Sequence, residues 1–207
     1  MKTAEVAQSI RSFLLDSEAL KRELRHSYLT DGRIESVAEH VWQMSFLGIM
    51  VAPYLTCSFN QLKFLKLIII HDLVEIYAGD MPITISSSST EAKQDKERKE
   101  QQAIEKIKTK LPSTIGEEIY ELWWEYEKNL TVEAKIAHAL DKIEAQAQHN
   151  DAGIETWVED EYHFAYKLKN YTMNETLLEN LADILVTEVD TMLSSIEKTP
   201  PTEYIMS

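Results

Sequence analysis

The stretch LIIIHDLVEIYAGDM, residues 67–81, constrains the fold more than any other part of the chain. Apolar residues at 67–70, 73, 74, 76 and 77 surround His71, Asp72 and Glu75 on nearly every side. A segment that is apolar almost all round is a buried helix, and the pattern predicts one over roughly 61–78, ended by Asp80-Met81-Pro82. Buried carboxylates and imidazoles need a partner or a metal ion, because an isolated charge in an apolar setting is very costly. On a helix His71 and Asp72 sit about 100° apart and can address one ion from neighbouring directions, with Glu75 one turn beyond His71 on the same face. An adjacent His-Asp pair alone is common by chance. A core histidine bonded to its neighbour is the bland alternative, so the rest of the chain decides the weight of the pair.

The chain has 207 residues, enough for one domain with a sizeable core. Glycine and proline number five each, and none of the prolines falls between 113 and 199. That scarcity of turn formers favours an all-α fold over a sheet protein. A formal net charge of −14 repels the phosphates of a polynucleotide, so long nucleic acid is excluded as a partner, whereas a small anionic ligand held by one or two local cations is not. One cysteine, Cys57, leaves no internal disulfide and fits a reducing compartment. Residues 1–12 are mixed polar, without a signal pattern, and no apolar run approaches the ~20 residues needed to span a bilayer. A soluble, cytoplasmic protein with no membrane partner is expected.

In chain order, residues 4–23 form a first amphipathic helix with a break near Asp16-Ser17. Asp31-Gly32 marks a turn. Ser36, followed three residues later by Glu39, is a capping-box pattern that starts a helix running to about Leu55, with His40 near its start. Arg33 is expected to pair with Glu35 or Glu39. Residues 83–90, ITISSSST, read as a polar loop, and 91–111 as a highly charged, solvated helix placed to serve as a lid if it borders an active-site mouth. Pro112 breaks the chain before a helix over 114–128. Thr131 and Gly153 bracket a strong helix whose apolar face, Ala134, Ala137, Leu140, Ile143 and Ala147, also carries Asp141. Helices near 155–170 and 174–197 follow, and the tail 199–207 is expected to be loose. With no repeat and no linker, residues 1–198 read as one domain. His138, His149 and His163 read as surface histidines. Trp123, Trp124 and Trp157 are candidates for an apolar homodimer interface.

Four residues stand out: His40, His71, Asp72 and Asp141. Apart from the adjacent pair, each lies on or beside the apolar face of a separate predicted helix. Two imidazoles and two carboxylates suit one divalent ion such as Mn, Co, Zn or Fe, and facing helices of a bundle are a common place to build such a site. Spacing alone does not show that the four meet.

The order H…HD…D resembles the HD-domain metal-dependent phosphohydrolase superfamily. RIESVAEH (33–40), HDLVEIYAGDMP (71–82), ELWWEYE (121–127) and EAKIAHALDKIEA (133–145) are similar, in the same order, to segments of the HD-domain 5′-deoxynucleotidases, covering about 20–150. The resemblance implies an all-α HD-domain helical bundle with a metal site between helices. It implies His40, His71, Asp72 and Asp141 as ligands of one divalent ion (Co, Mn, Zn, Fe or Mg), Glu75 as the residue that activates or orients water, and Asp80 as a contact to the sugar side of a nucleotide. Arg25 falls where the family has a phosphate-binding arginine. His26, His40, Asp72, Met81, Pro82 and Ile83 complete the implied substrate-binding set. His26 stands where some members have a tryptophan that bears on deoxyribose selection, and Ile83 stands where some have threonine. Family members are often dimers.

The chemistry is coherent on its own terms. A divalent ion acidifies bound water and polarises a phosphoryl oxygen, a carboxylate takes or orients the proton, and an arginine offers bidentate donors to a phosphate. The expected reaction is hydrolysis of the 5′-phosphate of a (deoxy)nucleoside monophosphate. Hydrolysis of another phosphoester, or a non-catalytic metal-binding regulatory role, is the alternative.

Overall fold

The computed structural model describes residues 2–82, 85 and 89–198. The expected tail and Ile83 lie outside these residues. Eight α-helices and one short hairpin make up the described fold: α1 (Thr3–Ser17), β1 (Leu24–Tyr28), β2 (Ile34–Ser36), α2 (Val37–Val51), α3 (Gln61–Ile70), α4 (Glu75–Ala78), α5 (Thr90–Lys110), α6 (Ser113–Lys128), α7 (Val132–Ala152) and α8 (Thr176–Ser195). The all-α class holds, with the hairpin as an addition that the sequence marked only by its turn. Its strands are too short to display a period-2 pattern. They pair antiparallel around Asp31-Gly32, with Leu24 opposite Ser36 and Tyr28 opposite Ile34 across an irregular register.

Several helix ends follow from local chemistry. Ser36 Oγ accepts from the Glu39 amide, and Glu39 Oε2 accepts from the Ser36 amide at 2.9 Å, closing the capping box that starts α2. Arg33 pairs with Glu39 at 2.7 Å, as one of the two expected options. Thr131 Oγ1 accepts from the Ala134 amide and starts α7, which Gly153 ends at φ 93°.

The predicted central helix is not continuous. α3 stops at Ile70, residues 71–74 form turns, and α4 is a single turn. The backbone tightens to three-residue steps, with the Leu73 amide on Ile70 O and the Glu75 amide on Asp72 O, each 3.0 Å. The Ile68 carbonyl, which an unbroken helix would give to the Asp72 amide, accepts from His71 Nδ1 at 2.7 Å. Nor is the segment buried all round, since Ile69 is 55% exposed. Residues 155–170 also depart from the expected helix. They wind through three 3₁₀ segments, Ile154–Thr156, Glu159–His163 and Ala165–Tyr171. Their Trp157 and Ala165 pack with Val189 and Leu193 of α8 in a small satellite core.

The main core gathers Phe13, Met44, Phe64, Leu67, Ile68, Ile104, Trp123, Leu140 and Leu178 from seven helices. Gly48 lets α2 meet α3 closely: a Cβ there would stand 2.8 Å from Ile68 Cδ1. α5 is not wholly solvated. Ala103, Ile104 and Ile107 are buried on one face, and Glu100 turns inward with them. The expected tryptophan interface fails for Trp123 and Trp157, which are buried. Exposed apolar side chains lie instead along α2, where Trp42, Phe46, Ile49 and Met50 share one face and Trp42 stacks on Phe46. Among the described residues, no helix is long and apolar enough to cross a membrane.

Candidate metal centre

α2, the end of α3 and α7 bring His40, His71, Asp72 and Asp141 together. The His40 imidazole is fully buried, with Nε2 3.4 Å from Asp141 Oδ1 and 3.8 Å from Asp72 Oδ2. His71 Nε2 lies 3.1 Å from the same Asp72 oxygen. His40 Nε2, His71 Nε2 and Asp72 Oδ2 all lie within 4.8 Å of one another, and none has a hydrogen-bond partner among the described residues. Buried polar atoms are rarely left so, and three of them facing each other have the chemistry to hold a divalent cation.

The far sides of the rings support the same reading. His40 Nδ1 is bonded to the buried Glu144 carboxylate, and His71 Nδ1 donates to a backbone carbonyl. A histidine held at Nδ1 presents Nε2 as a ligand, and such acceptors behind the ring fix its orientation. Asp141 Oδ2 accepts from Tyr126 Oη at 3.3 Å and from Lys142 Nζ at 2.9 Å.

The electrostatics point the same way. Burial opposes charge on Asp72, but His71, His40 and Arg25 outweigh it and hold its carboxyl below the ordinary range. Lys142, His71 and His40 do the same for Asp141 against its burial. Burial and Arg25 push His40 down, yet Glu144 and Asp141 carry it up to about 9. Without a cation, the cluster is negative enough to hold a proton on an imidazole. A bound divalent ion would take the place of that proton.

Glu75 lies beside the centre, buried, with Oε2 lacking a partner among the described residues. Burial, Asp72 and Asp80 push its carboxyl up to about 10. Gly79, at φ 76°, ends α4 and delivers Asp80, whose amide donates to Glu23 Oε1 at 3.0 Å. Burial and Asp72 raise the Asp80 carboxyl against Arg25 and His26. Met81 and Pro82 follow, half-buried. Arg25 is not a surface residue. Its Nε lies 3.3 Å from the buried Glu35 carboxylate and its Nη1 3.6 Å from Asp72 Oδ2. Burial disfavours the Arg25 charge, but Asp72, Asp141 and Asp80 outweigh it and raise the pKa. His26 turns instead to Glu161, with Nε2 2.8 Å from Oε1.

Sequence reasoning missed Glu144, Glu35 and Glu161. Glu144 had a signal, since it lies three residues after Asp141 and so on the same helical face. Glu35 and Glu161 had none, because short strands and 3₁₀ turns show no usable period. Two histidines were also misplaced. His149 is buried against His26 and Trp157, and His138 stacks half-buried on Tyr126 with centroids 3.9 Å apart. His163 is exposed, as expected.

The arrangement has counterparts. A family model described as HD domain matches residues 17–182. The chain is 31% identical over 147 residues to a 5′-deoxynucleotidase of Homo sapiens, covering 70% of this chain and 69% of that relative. It is 35% identical over 146 residues to a 5′-deoxynucleotidase of Schizosaccharomyces pombe, covering 68% of this chain and 70% of the relative. A crystal structure described as a predicted metal-dependent phosphohydrolase from Magnetospirillum magnetotacticum MS-1 superposes with a TM-score of 0.77 at 27% identity, covering 94% of this chain and 99% of the other.

Proposed function

This chain belongs to the HD-domain family and is an enzyme of its phosphohydrolase kind, and from that premise we propose that it hydrolyses the 5′-phosphate of (deoxy)nucleoside monophosphates with one divalent metal ion. The observation that carries the proposal is the convergence of three unpartnered buried ligand atoms, from His40, His71 and Asp72, with the Arg25 guanidinium 3.6 Å from Asp72. A divalent ion held by His40, His71, Asp72 and Asp141 supplies a Lewis acid and an acidified water.

The chain's own residues account for the rest. Arg25 is fixed by Glu35 on one side and offers its remaining N–H groups to the phosphate. Asp72 keeps the guanidinium beside the metal ligands, so phosphate and nucleophile share one pocket. Glu75 is close enough in sequence and space to feel the charge of Asp72, and its free oxygen orients the attacking water or takes its proton. Burial, Asp72 and Asp80 raise Glu75, and a cation held by the four ligands would offset the negative field of the cluster. Asp80 faces the sugar side, whereas His26 turns to Glu161.

The test is phosphate release from deoxy- and ribonucleoside monophosphates by metal-stripped protein given Co, Mn, Mg, Zn or Fe. Release that needs both the metal and Asp72 supports the reading, and the deoxy-to-ribo ratio reports how strictly ribose is rejected. Release only from triphosphates or cyclic nucleotides moves the assignment to another phosphoester. No release from any of them sinks the enzymatic reading.

The proposal includes a homodimer formed through the exposed face of α2, since contiguous apolar surface of this kind marks an interaction site. Sedimentation of the wild type against Trp42→Glu tests it, and a wild-type monomer at micromolar concentration refutes it.

A further inference from the structure

A second group of ligand-type side chains lies on the other end of α7. His26 from β1, His149 from the last turn of α7 and Glu161 from the 3₁₀ segment Glu159–His163 bring three ligand atoms within 4.8 Å of one another. His149 and Glu161 are buried, and His26 is partly open to solvent. His26 Nε2 and Glu161 Oε1 stand 2.8 Å apart, and neither of these buried atoms has another partner among the described residues. With the His149 ring nitrogen also within 4.8 Å, the three ligand atoms are close enough to share one cation.

The remaining contacts fit the same picture. Glu161 Oε2 accepts from the Val158 amide at 2.8 Å, which leaves Oε1 directed at the histidines. His149 Nε2 lies 3.4 Å from Ser27 Oγ, itself a weak additional oxygen ligand. Three ligands from three separate elements, two imidazoles and one carboxylate, suit a first-row ion of the zinc type with one position left for water or Ser27. The partly exposed His26 gives the ion a way in.

We propose that His26, His149 and Glu161 form a second transition-metal site, distinct from the centre on His40, His71, Asp72 and Asp141. His149 is eight residues beyond Asp141 on α7, about 12 Å along the axis, so the two ions do not share ligands. The second ion ties the hairpin to the 157–171 segment. Because His26 adjoins Arg25, it also fixes the strand that carries the phosphate-binding arginine.

The experiment counts zinc bound per chain after stripping and retitration, by chelator competition and elemental analysis, for wild type, His149→Gln, Glu161→Gln and Asp72→Ala. Two ions in the wild type, falling to one in both His149→Gln and Glu161→Gln, support the site. Cobalt substitution should then lose the absorption bands of one ion in those two variants. Circular dichroism identifies any variant that fails to fold, and Glu161→Gln, nearly isosteric, keeps the test open if His149→Gln does. A zinc count unchanged by both substitutions overturns the site. The Asp72→Ala count judges the first centre separately, so failure of one centre is not mistaken for failure of the other.

Discussion

Two histidine–carboxylate groups each draw on helix α7, the first through Asp141 and the second through His149, and differ in how they are held. Around His40, His71 and Asp72, both imidazoles are anchored from behind, one by Glu144 and one by the Ile68 carbonyl, and they are carried by α2 and by the turn that ends α3, both packed on the main core. Around His26, His149 and Glu161, the supports are a five-residue strand, a helix end and a 3₁₀ segment, and only Glu161 has a clear anchor, the Val158 amide. On the proposed reading of the two groups, ligand identity alone does not separate the catalytic centre from the structural one. The acceptors behind the ligands, and the rigidity of what carries them, do.

Asp72→Ala should have the largest effect. It removes a ligand and frees Arg25, and phosphate release should fall by at least about 10³-fold, or ~4 kcal/mol of transition-state stabilisation. Single-turnover release with saturating metal measures it, and a loss below tenfold would break the contrast between the two groups. Glu144→Gln comes next. It keeps an acceptor behind His40 but removes the charge, and metal affinity at the first centre should drop about tenfold, within the usual 10–100-fold range for such supports. Competition with a chelator reads it, and an unchanged affinity would show that anchoring is not what separates the groups.

Ser36→Ala tests whether helix rigidity reaches His40, one turn into α2. Loss of the capping box should cost ~1 kcal/mol, seen as a lower denaturation midpoint of the stripped protein. If metal affinity falls further than the stability loss explains, the cap also positions the ligand. The smallest effect belongs to a control distant from both groups. Glu175 is the N-cap residue of α8, and its carboxylate accepts from the amides of Thr56 and Cys57 at 2.8 and 2.9 Å. Burial opposes the charge, but these donors outweigh it and hold the pKa below its ordinary 4.5. The unfolded chain therefore takes up a proton before the folded one does. The stabilisation is complete above about 4.5 and is lost as pH falls through the lower folded value. Glu175→Gln should flatten the acid limb of a stability–pH curve below pH 5 while leaving metal binding untouched, and an unaltered acid limb would refute the assignment.

Much of the first centre was legible. The apolar settings of His71, Asp72 and Asp141, and the capping box before His40, are local patterns, and each puts a ligand-type residue on a core-facing position. Glu144 was within reach as the i+3 neighbour of Asp141. The second group was not legible. His149 reads as polar near a helix end, and the short strand and 3₁₀ turns that supply His26 and Glu161 repeat too briefly for any period to show. Even in the legible region the winding was misjudged: an apolar run of this kind predicts one helix, and the competition for the Ile68 carbonyl broke it.

The sequence by itself determined what depends on neighbours within about four positions: the helix segments, their caps at Ser36 and Thr131, the stop at Gly153, and the chemical type of each ligand. Only the tertiary structure decided which of these residues meet. His40 and Glu144 are 104 residues apart and Ser27 and His149 are 122 apart. No periodicity links positions at that distance. The first contact is fixed by core packing, which buries the apolar faces of α2, α3 and α7 against each other, and the second by the packing of β1 on α7.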